Sequence, residues 1–325
     1  MKEEIFVVGI DLGGSHVTAA CFERQGRIHN KVFHDINPLE PPSEILNNGI
    51  VPAVEKVIKE SGLDSSKIVG IGMGLPGTLD SNLGICLFSP NLKWRNVPVK
   101  KPLEKALNLP VFILNDVRSA TLGEKYFGAG RGFEHFVCMA IGTGIGGGIV
   151  ANGKLVLGGC EGAGEIGHIT IMPDGPLCNC GNYGCMEALA SGPNIARRAR
   201  EALLKGEESI MKHMVKNLEE ISAETVNLAA EKNDSLALRI WEETGRFLGL
   251  GVSMIITALN PQRIIVGGRV AQAGELIFKP MREEIKKRVK MIAGDYTGIV
   301  PAHFKEDAGV AGAAALVLEK LGLIS

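Results

Sequence analysis

The sequence predicts an α/β fold assembled from two related halves. Short β-rich apolar runs alternate with segments of helical spacing along the 325 residues. A strand, a glycine turn carrying a hydroxyl residue and a second strand occur at 5–22 and again at 136–150. The length also exceeds what one typical core fills and points to about two domains.

Taken in order, Ile5 to Ile10 is an apolar strand, Asp11-Leu12-Gly13-Gly14-Ser15 a turn, and Val17 to Phe22 the returning strand. Val51 to Lys59 has helical spacing. Ile68 to Leu75 reads as a strand ending in the turn dipeptide Pro76-Gly77. Val111 to Leu114 is a short buried strand, and Asp116 opens a helix that runs to Phe127. The pattern then repeats with a strand at Phe136 to Ile141, a turn through Gly142-Thr143-Gly144, and a hairpin at Asn152-Gly153 leading into a strand at Lys154 to Leu157. Pro193 to Leu259 is mostly helical, Arg263 to Val266 is a strand ending in Gly267-Gly268, and Met281 to Met291 reads as an exposed charged helix. Ala-rich Ala308 to Lys320 closes the chain as a helix.

Composition narrows the function classes. Of the 325 residues 42 are glycine, nearly twice the usual share of about 7%, without the three-residue period of collagen. Lysine and arginine total 35 against 36 acidic residues, so no basic excess marks a nucleic-acid or anionic-membrane binder. The uncharged stretch from His135 to Gly153 carries six glycines, Thr143 and Asn152, which does not suit a spanning helix. Without a signal-peptide pattern at the N-terminus, a soluble cytoplasmic protein is expected.

Seven cysteines make no disulfide framework in such a chain. Cys21 and Cys138 lie in apolar runs and read as buried, inert side chains. Cys178, Cys180 and Cys185 instead fall within eight residues, and Gly181 and Gly184 let the chain fold back so that three thiolates face one point. A closed zinc site takes four N or S ligands, and His168, ten residues upstream, is the candidate fourth. The alternatives are a redox pair or unrelated loop cysteines, and the flanking turn glycines favour metal.

Two phosphate motifs fail on context. Gly142, Gly144 and Gly147 have dinucleotide spacing but lead into a hairpin, not a helix, and the Walker-like run ending at Lys154 meets Leu155 where Ser or Thr is required. What remains is a pair of glycine hairpins whose backbone N–H groups would face a polyphosphate, with Asp11 placed to hold Mg2+ through water. Asp116 reads either as a helix N-cap or as a general base taking a proton from a substrate hydroxyl. Glu161, Glu165, His168 and Glu187 add acceptors that suit a neutral polyhydroxylated ligand.

These motifs resemble the sugar kinases of the ROK family (repressor, open reading frame, kinase), above all its bacterial glucokinases. The resemblance spans nearly the whole chain. It rests on Asp11-Leu12-Gly13-Gly14-Ser15, Gly74-Leu75-Pro76-Gly77, Pro90-Asn91-Leu92, Asn115-Asp116 and Gly142 to Gly148. It continues in Gly164-Glu165-Ile166-Gly167-His168, in the Cys178-x-Cys180-Gly181-x-x-Gly184-Cys185-x-Glu187 run and in Val266-Gly267-Gly268. It implies an actin-like, ribonuclease-H-like fold in two lobes, 1–115 with 309–325 and 116–308, with ATP and sugar meeting in the cleft. It further implies phosphorylation of a hexose 6-hydroxyl, most naturally that of glucose, by Asp116 as base. Gly77, Asn91, Asn115, Glu165, His168 and Glu187 resemble the sugar contacts. Asp11, Gly13, Gly14, Ser15, Thr143, Gly144, Gly267 and Gly268 resemble the ATP and Mg2+ contacts, and His168, Cys178, Cys180 and Cys185 the zinc ligands. A homodimer or homotetramer is expected. Ser15 and His16 stand where the family carries Thr and Lys, and Arg269 where a third glycine is common. The first motif begins by Gly9, so a kinase without the DNA-binding segment of the family's repressors is expected.

Overall fold

A computed structural model describes residues 4–292 and 296–324. The chain forms two compact units, 1–133 with 148–164 and 302–325, and 134–147 with 165–301.

The first unit is built on a five-stranded sheet. Its strands are β1 (Phe6–Leu12), β2 (His16–Glu23), β3 (Ile28–Asp35), β4 (Ile68–Leu75) and β8 (Val111–Asn115), in the order β3-β2-β1-β4-β8. β1, β2 and β3 pair antiparallel, whereas β4 runs parallel to both β1 and β8. A smaller sheet holds β5 (Thr78–Asp80), β6 (Ile85–Ser89) and β7 (Trp94–Pro98). A short helical stretch α1 (Pro42–Glu44) leads through a π-helical turn into α2 (Val51–Ser61), followed by α3 (Lys100–Leu107), α4 (Asp116–Phe127) and, at the far end of the chain, α10 (Ala308–Lys320).

Both faces of β1 are covered, which explains why its sequence is apolar throughout instead of alternating. Val8, Ile10 and Leu12 pack with Val54 and Val57 of α2. Val7 packs on the other face with Val310, Ala314 and Val317 of α10. That helix lies unusually close to the sheet. A methyl group added at Gly72 of β4 would lie 1.9 Å from the Ala313 carbonyl oxygen, and one at Gly312 would lie 1.8 Å from the Ser119 carbonyl oxygen of α4. Only glycine permits such backbone-to-backbone contact.

The second sheet has the order β11-β10-β9-β12-β13, from β9 (Phe136–Ile141), β10 (Ile145–Ala151), β11 (Lys154–Leu155), β12 (Arg263–Gly267) and β13 (Gly298–Pro301). β12 runs parallel to β9 and β13. Each sheet is therefore a three-strand meander extended by two parallel strands, the plan expected of a duplicated fold. Asn152 and Gly153 both take positive φ, 50° and 68°, as the hairpin dipeptide requires. Helices α5 (Met186–Ala190), α6 (Gly192–Leu204), α7 (Ala223–Glu231), α8 (Ser235–Leu259) and α9 (Glu275–Arg288) lie in the second unit with β9, β12 and β13, whereas β11 and the end of β10 from Gly148 fall in the first. No described helix is long and apolar enough to cross a membrane.

Three boundaries differ from the sequence reading. β11 stops at Leu155. The charged helix begins at Glu275, with Pro280 inside it, and is not wholly exposed: Ile277, Phe278 and Met281 are buried. The compact units also divide elsewhere than at 115/116 and 308/309, because α4 packs against α10 through Gly123 and Gly312 and so belongs with the first unit.

Gly72→Ala is expected to lower the unfolding free energy by about 1–3 kcal/mol, the scale of overpacking in a close-packed core. Gly159→Ala, where a methyl group meets nothing within 4 Å, should change it far less. Urea denaturation compares the two, and equal midpoints would show that the helix crossing tolerates a side chain.

Candidate active site

Asp11 lies at the end of β1, in register with Thr18 on one side and Gly74 on the other. The chain then turns through Gly13, Gly14 and Ser15. Gly13 donates its N–H to the His16 carbonyl at 2.9 Å, so it closes the turn and is not a free donor as the hairpin reading expected. Gly14, Ser15 and His16 are exposed. A methyl group at Gly309 would lie 2.3 Å from the Asp11 carboxyl carbon, so the first turn of α10 abuts this side chain.

Asn115 and Asp116 divide two roles that the sequence left open. The N-cap of α4 is Asn115, whose Oδ1 accepts from the Val117 and Arg118 N–H groups at 3.1 and 3.2 Å. Its Nδ2 donates to the Gly77 carbonyl at 3.2 Å, which ties the helix start to the Pro76-Gly77 turn. Gly77 has φ 115°, and a methyl group there would lie 2.2 Å from the Phe88 carbonyl oxygen. Asp116 is therefore not the cap residue, although its own Oδ1 accepts from the Val117 N–H at 2.9 Å. Asn91 occupies the exposed turn between β6 and β7.

The two aspartates keep part of their surface in solvent, yet each sits in a dense protein surround. Burial pushes the Asp116 carboxyl above its ordinary range, opposed by hydrogen bonds from backbone N–H groups and Asn115 and by the charge of Arg118. Burial, and then the neighbouring Asp116 charge, push Asp11 up to about 7. Two carboxylates share a poorly solvated site that strongly favours a cation beside them.

In the second unit the Gly142-Thr143-Gly144 turn, the Glu165-to-His168 element and the cysteine loop are brought together. Glu187, on the first turn of α5, accepts from the Ile145 N–H at 2.8 Å, and its other carboxylate oxygen lies 3.7 Å from the Cys178 sulfur. Gly167 presses on the Ile145 carbonyl, where a methyl group would come within 2.1 Å. Thr143 and Glu165 are exposed and His168 is half-buried. Gly267 ends β12, pairing with Ala140, and Gly268 turns away from the sheet against the Ile141 backbone.

His168, Cys178, Cys180 and Cys185 place their ligand atoms within 4.8 Å of one another. The Cys180 and Cys185 sulfurs are 3.7 Å apart, and Cys178 Sγ is 3.7 Å from His168 Nδ1. Ligands of about 2.3 Å bond length at the corners of a tetrahedron lie about 3.8 Å apart, so the set fits a four-coordinate metal. Burial pushes the Cys178 thiol up to about 12 and raises Cys185, while hydrogen bonding, led by the Asn182 backbone, lowers Cys180. Thiolates crowded in this way require a cation to become the stable form. Cys21, Cys86 and Cys138 are buried and form no disulfide, and Cys160 is exposed.

The sequence profile of the ROK family matches residues 7–320. The chain belongs to the ROK family. A glucokinase of Thermotoga maritima is 36% identical over 323 residues, covering 97% of this chain and 98% of that one. Among solved structures, a ROK-family glucokinase from Streptomyces griseus in complex with glucose and AMPPNP has a TM-score of 0.81 at 32% identity, covering 96% of this chain and 98% of that one. A ROK-family transcriptional regulator, homologue of the E. coli MLC protein, has a TM-score of 0.88 at 30% identity, covering 98% of this chain and 78% of that one. This ROK chain thus has the two-lobed actin-like ATPase fold of its relatives.

Sequence reasoning missed the partners around these residues. Arg118, buried on α4, donates its Nε–H to the Ala163 carbonyl at 3.0 Å. Glu161, expected among the ligand acceptors, accepts instead from Ser81. The signal for Arg118 was its place two residues after Asp116, and for Glu161 there was none.

Asp11 supplies a pH test. In the nucleotide-free protein its carboxyl holds a proton up to about 7, which the unfolded chain loses near 3.8. The folded state therefore loses stability through this group as pH rises across that window, and nothing more above it. Asp11→Asn removes the term, so its stability relative to wild type should rise between pH 4 and 8 by up to about 4 kcal/mol. Thermal melts without nucleotide or Mg2+ measure the difference, and a pH-independent difference would refute the buried-charge account.

Proposed function

We propose that this chain transfers the γ-phosphoryl group of ATP to the 6-hydroxyl of a hexose, glucose first, as a cytoplasmic homodimer or homotetramer. The observation that carries this is Asp116. Its carboxyl is made more basic by burial, and the N-cap of α4 is Asn115, although Asp116 Oδ1 also accepts from the Val117 N–H. The 36% identical glucokinase supplies the reaction class.

Phosphoryl transfer depends mainly on positioning and on stabilising charge. In this proposal Asp116 accepts the hydroxyl proton. Gly77, Asn91, Asn115, Glu165, His168 and Glu187 hold or shape the site for the other hydroxyls. Gly13 sets the first phosphate turn, and Gly14, Ser15, Thr143 and Gly144 face the phosphates. Gly267 and Gly268 shape the nucleotide end, where Arg269 and His16 are this chain's departures. Mg2+ beside Asp11 would neutralise phosphate charge. Zinc held by His168, Cys178, Cys180 and Cys185 would fix the imidazole through Nδ1, leaving Nε2 for a sugar hydroxyl.

A sugar-responsive regulator is the second reading, favoured by the TM-score of 0.88 to the transcriptional regulator. A coupled ADP-release assay over glucose, fructose, N-acetylmannosamine and N-acetylglucosamine separates the readings. Turnover with glucose is expected, and binding of a sugar without turnover would favour the regulator. Asp116→Asn should retain glucose binding by calorimetry but lose about 10²-fold or more in kcat, the scale of a general base. Near wild-type turnover would remove Asp116 from the role. Elemental analysis should find stoichiometric zinc that Cys180→Ser loses. Its absence from wild-type protein purified without chelator would refute the zinc assignment.

A further inference from the structure

One exposed glycine-rich segment is held in place by groups that the chemistry above does not use. Residues 158–164 read Gly-Gly-Cys-Glu-Gly-Ala-Gly and end immediately before Glu165. A segment with four glycines in seven residues has high conformational freedom and needs external restraint to deliver a fixed geometry at its end. Beside the backbone bond from the Ala163 N–H to the Leu157 carbonyl at 2.9 Å, two side-chain restraints are present. Arg118 on α4, only 3% exposed, donates its Nε–H to the Ala163 carbonyl at 3.0 Å. Glu161 accepts from the Ser81 hydroxyl at 2.8 Å, and both its carboxylate oxygens lie 3.2 Å from the Ser81 N–H. Glu161 does this from φ 53°, a left-handed conformation that side-chain-bearing residues seldom adopt, in a segment where glycine would take it freely. The side chain is thus retained at a position whose backbone favours glycine, and the feature it supplies is the clasp to Ser81.

We propose that Glu161 and Arg118 are positioning residues for the sugar-acceptor site: together they clasp the 158–164 segment and so fix where Glu165 is delivered. The role rests on the sugar-kinase reading only for its effect on glucose, because the clasp itself exists in the unliganded chain. Neither residue touches reacting atoms in this account. Loss of Glu161 should weaken sugar binding while leaving the phosphoryl-transfer step and the ATP site intact. Arg118 also bears on the Asp116 carboxyl through its charge, so its variant keeps a cation and is read by KM for glucose.

The variants are Glu161→Gly, which relaxes the backbone but removes the clasp, Glu161→Gln, which keeps one carbonyl acceptor for the Ser81 hydroxyl, and Arg118→Lys. Glu161→Gly should raise KM for glucose about ten-fold, with kcat and KM for ATP within two-fold of wild type, as expected for misplacement of a contact group. Glu161→Gln should recover most of that loss. Arg118→Lys, which retains charge and most of the volume, should raise KM for glucose in the same way, because lysine does not reproduce the fixed guanidinium geometry. Hydrogen–deuterium exchange at 158–164, measured on unliganded protein, should rise in Glu161→Gly and return towards wild type in Glu161→Gln. Unchanged exchange in Glu161→Gly overturns the clasp whether or not the wild type phosphorylates glucose. Raised exchange with unchanged KM for glucose overturns its positioning role. If wild-type protein neither binds nor phosphorylates glucose while exchange still rises in Glu161→Gly, the kinase reading fails, and with it the positioning role, but the clasp stands.

Discussion

The close crossing of the C-terminal helix over the first sheet is the constraint on which the rest of the first unit depends. Ala308–Lys320 approaches β1 and β4 so nearly that Gly9 and Gly72 face its backbone without room for a methyl group. The same helix meets α4 through Gly312 and Gly123. Asp11 ends β1 and Asp116 begins α4, so one helix sets the depth of both carboxylates. A side chain at any of these crossings would move the helix by more than a hydrogen bond tolerates. The glycine excess, which in composition looked like a property of loops, includes a packing device inside regular structure.

That packing also decides the electrostatics. Asp11 and Asp116 stand in a protein environment that disfavours charge, and each carboxyl is raised above its ordinary range, mainly by burial. The charge of Arg118 offsets only part of this at Asp116, so the pair costs stability in the empty protein. In the proposed reaction the raised Asp116 is a better proton acceptor, and the field at Asp11 attracts the metal that accompanies the phosphates. Stability given up in the empty protein is the physical counterpart of a site prepared for charged substrates.

The second unit achieves order differently. Glu187 accepts from the Ile145 N–H and approaches Cys178, so one carboxylate links the glycine turn to the cysteine cluster. The cluster in turn faces His168 Nδ1. Residues read as ligand contacts therefore also hold one another. Asn115, with its bonds to the Val117 and Arg118 amides and to Gly77, is the corresponding case in the first unit.

The sequence by itself determined whatever depends on a few consecutive residues. It determined the paired glycine hairpins, because apolar β-rich runs around glycine have few other conformations. The Asn152-Gly153 turn followed because both central residues must take positive φ. The limits of Ala308–Lys320 and the convergence of Cys178, Cys180 and Cys185 with His168 were legible for similar reasons, composition in the first and spacing in the second. Tertiary structure alone decided which side chains remain available for chemistry. Whether Asn115 or Asp116 caps α4 turned on side-chain placement, with Asn115 also tied to Gly77, 38 residues earlier. Glu161 was removed from the acceptors by Ser81, 80 positions away, and α9 began before Pro280 because its apolar residues find a buried surface. Local backbone preference extends over a few residues. The partner of a carboxylate is set by which distant elements pack beside it, and that information is absent from any short stretch of chain.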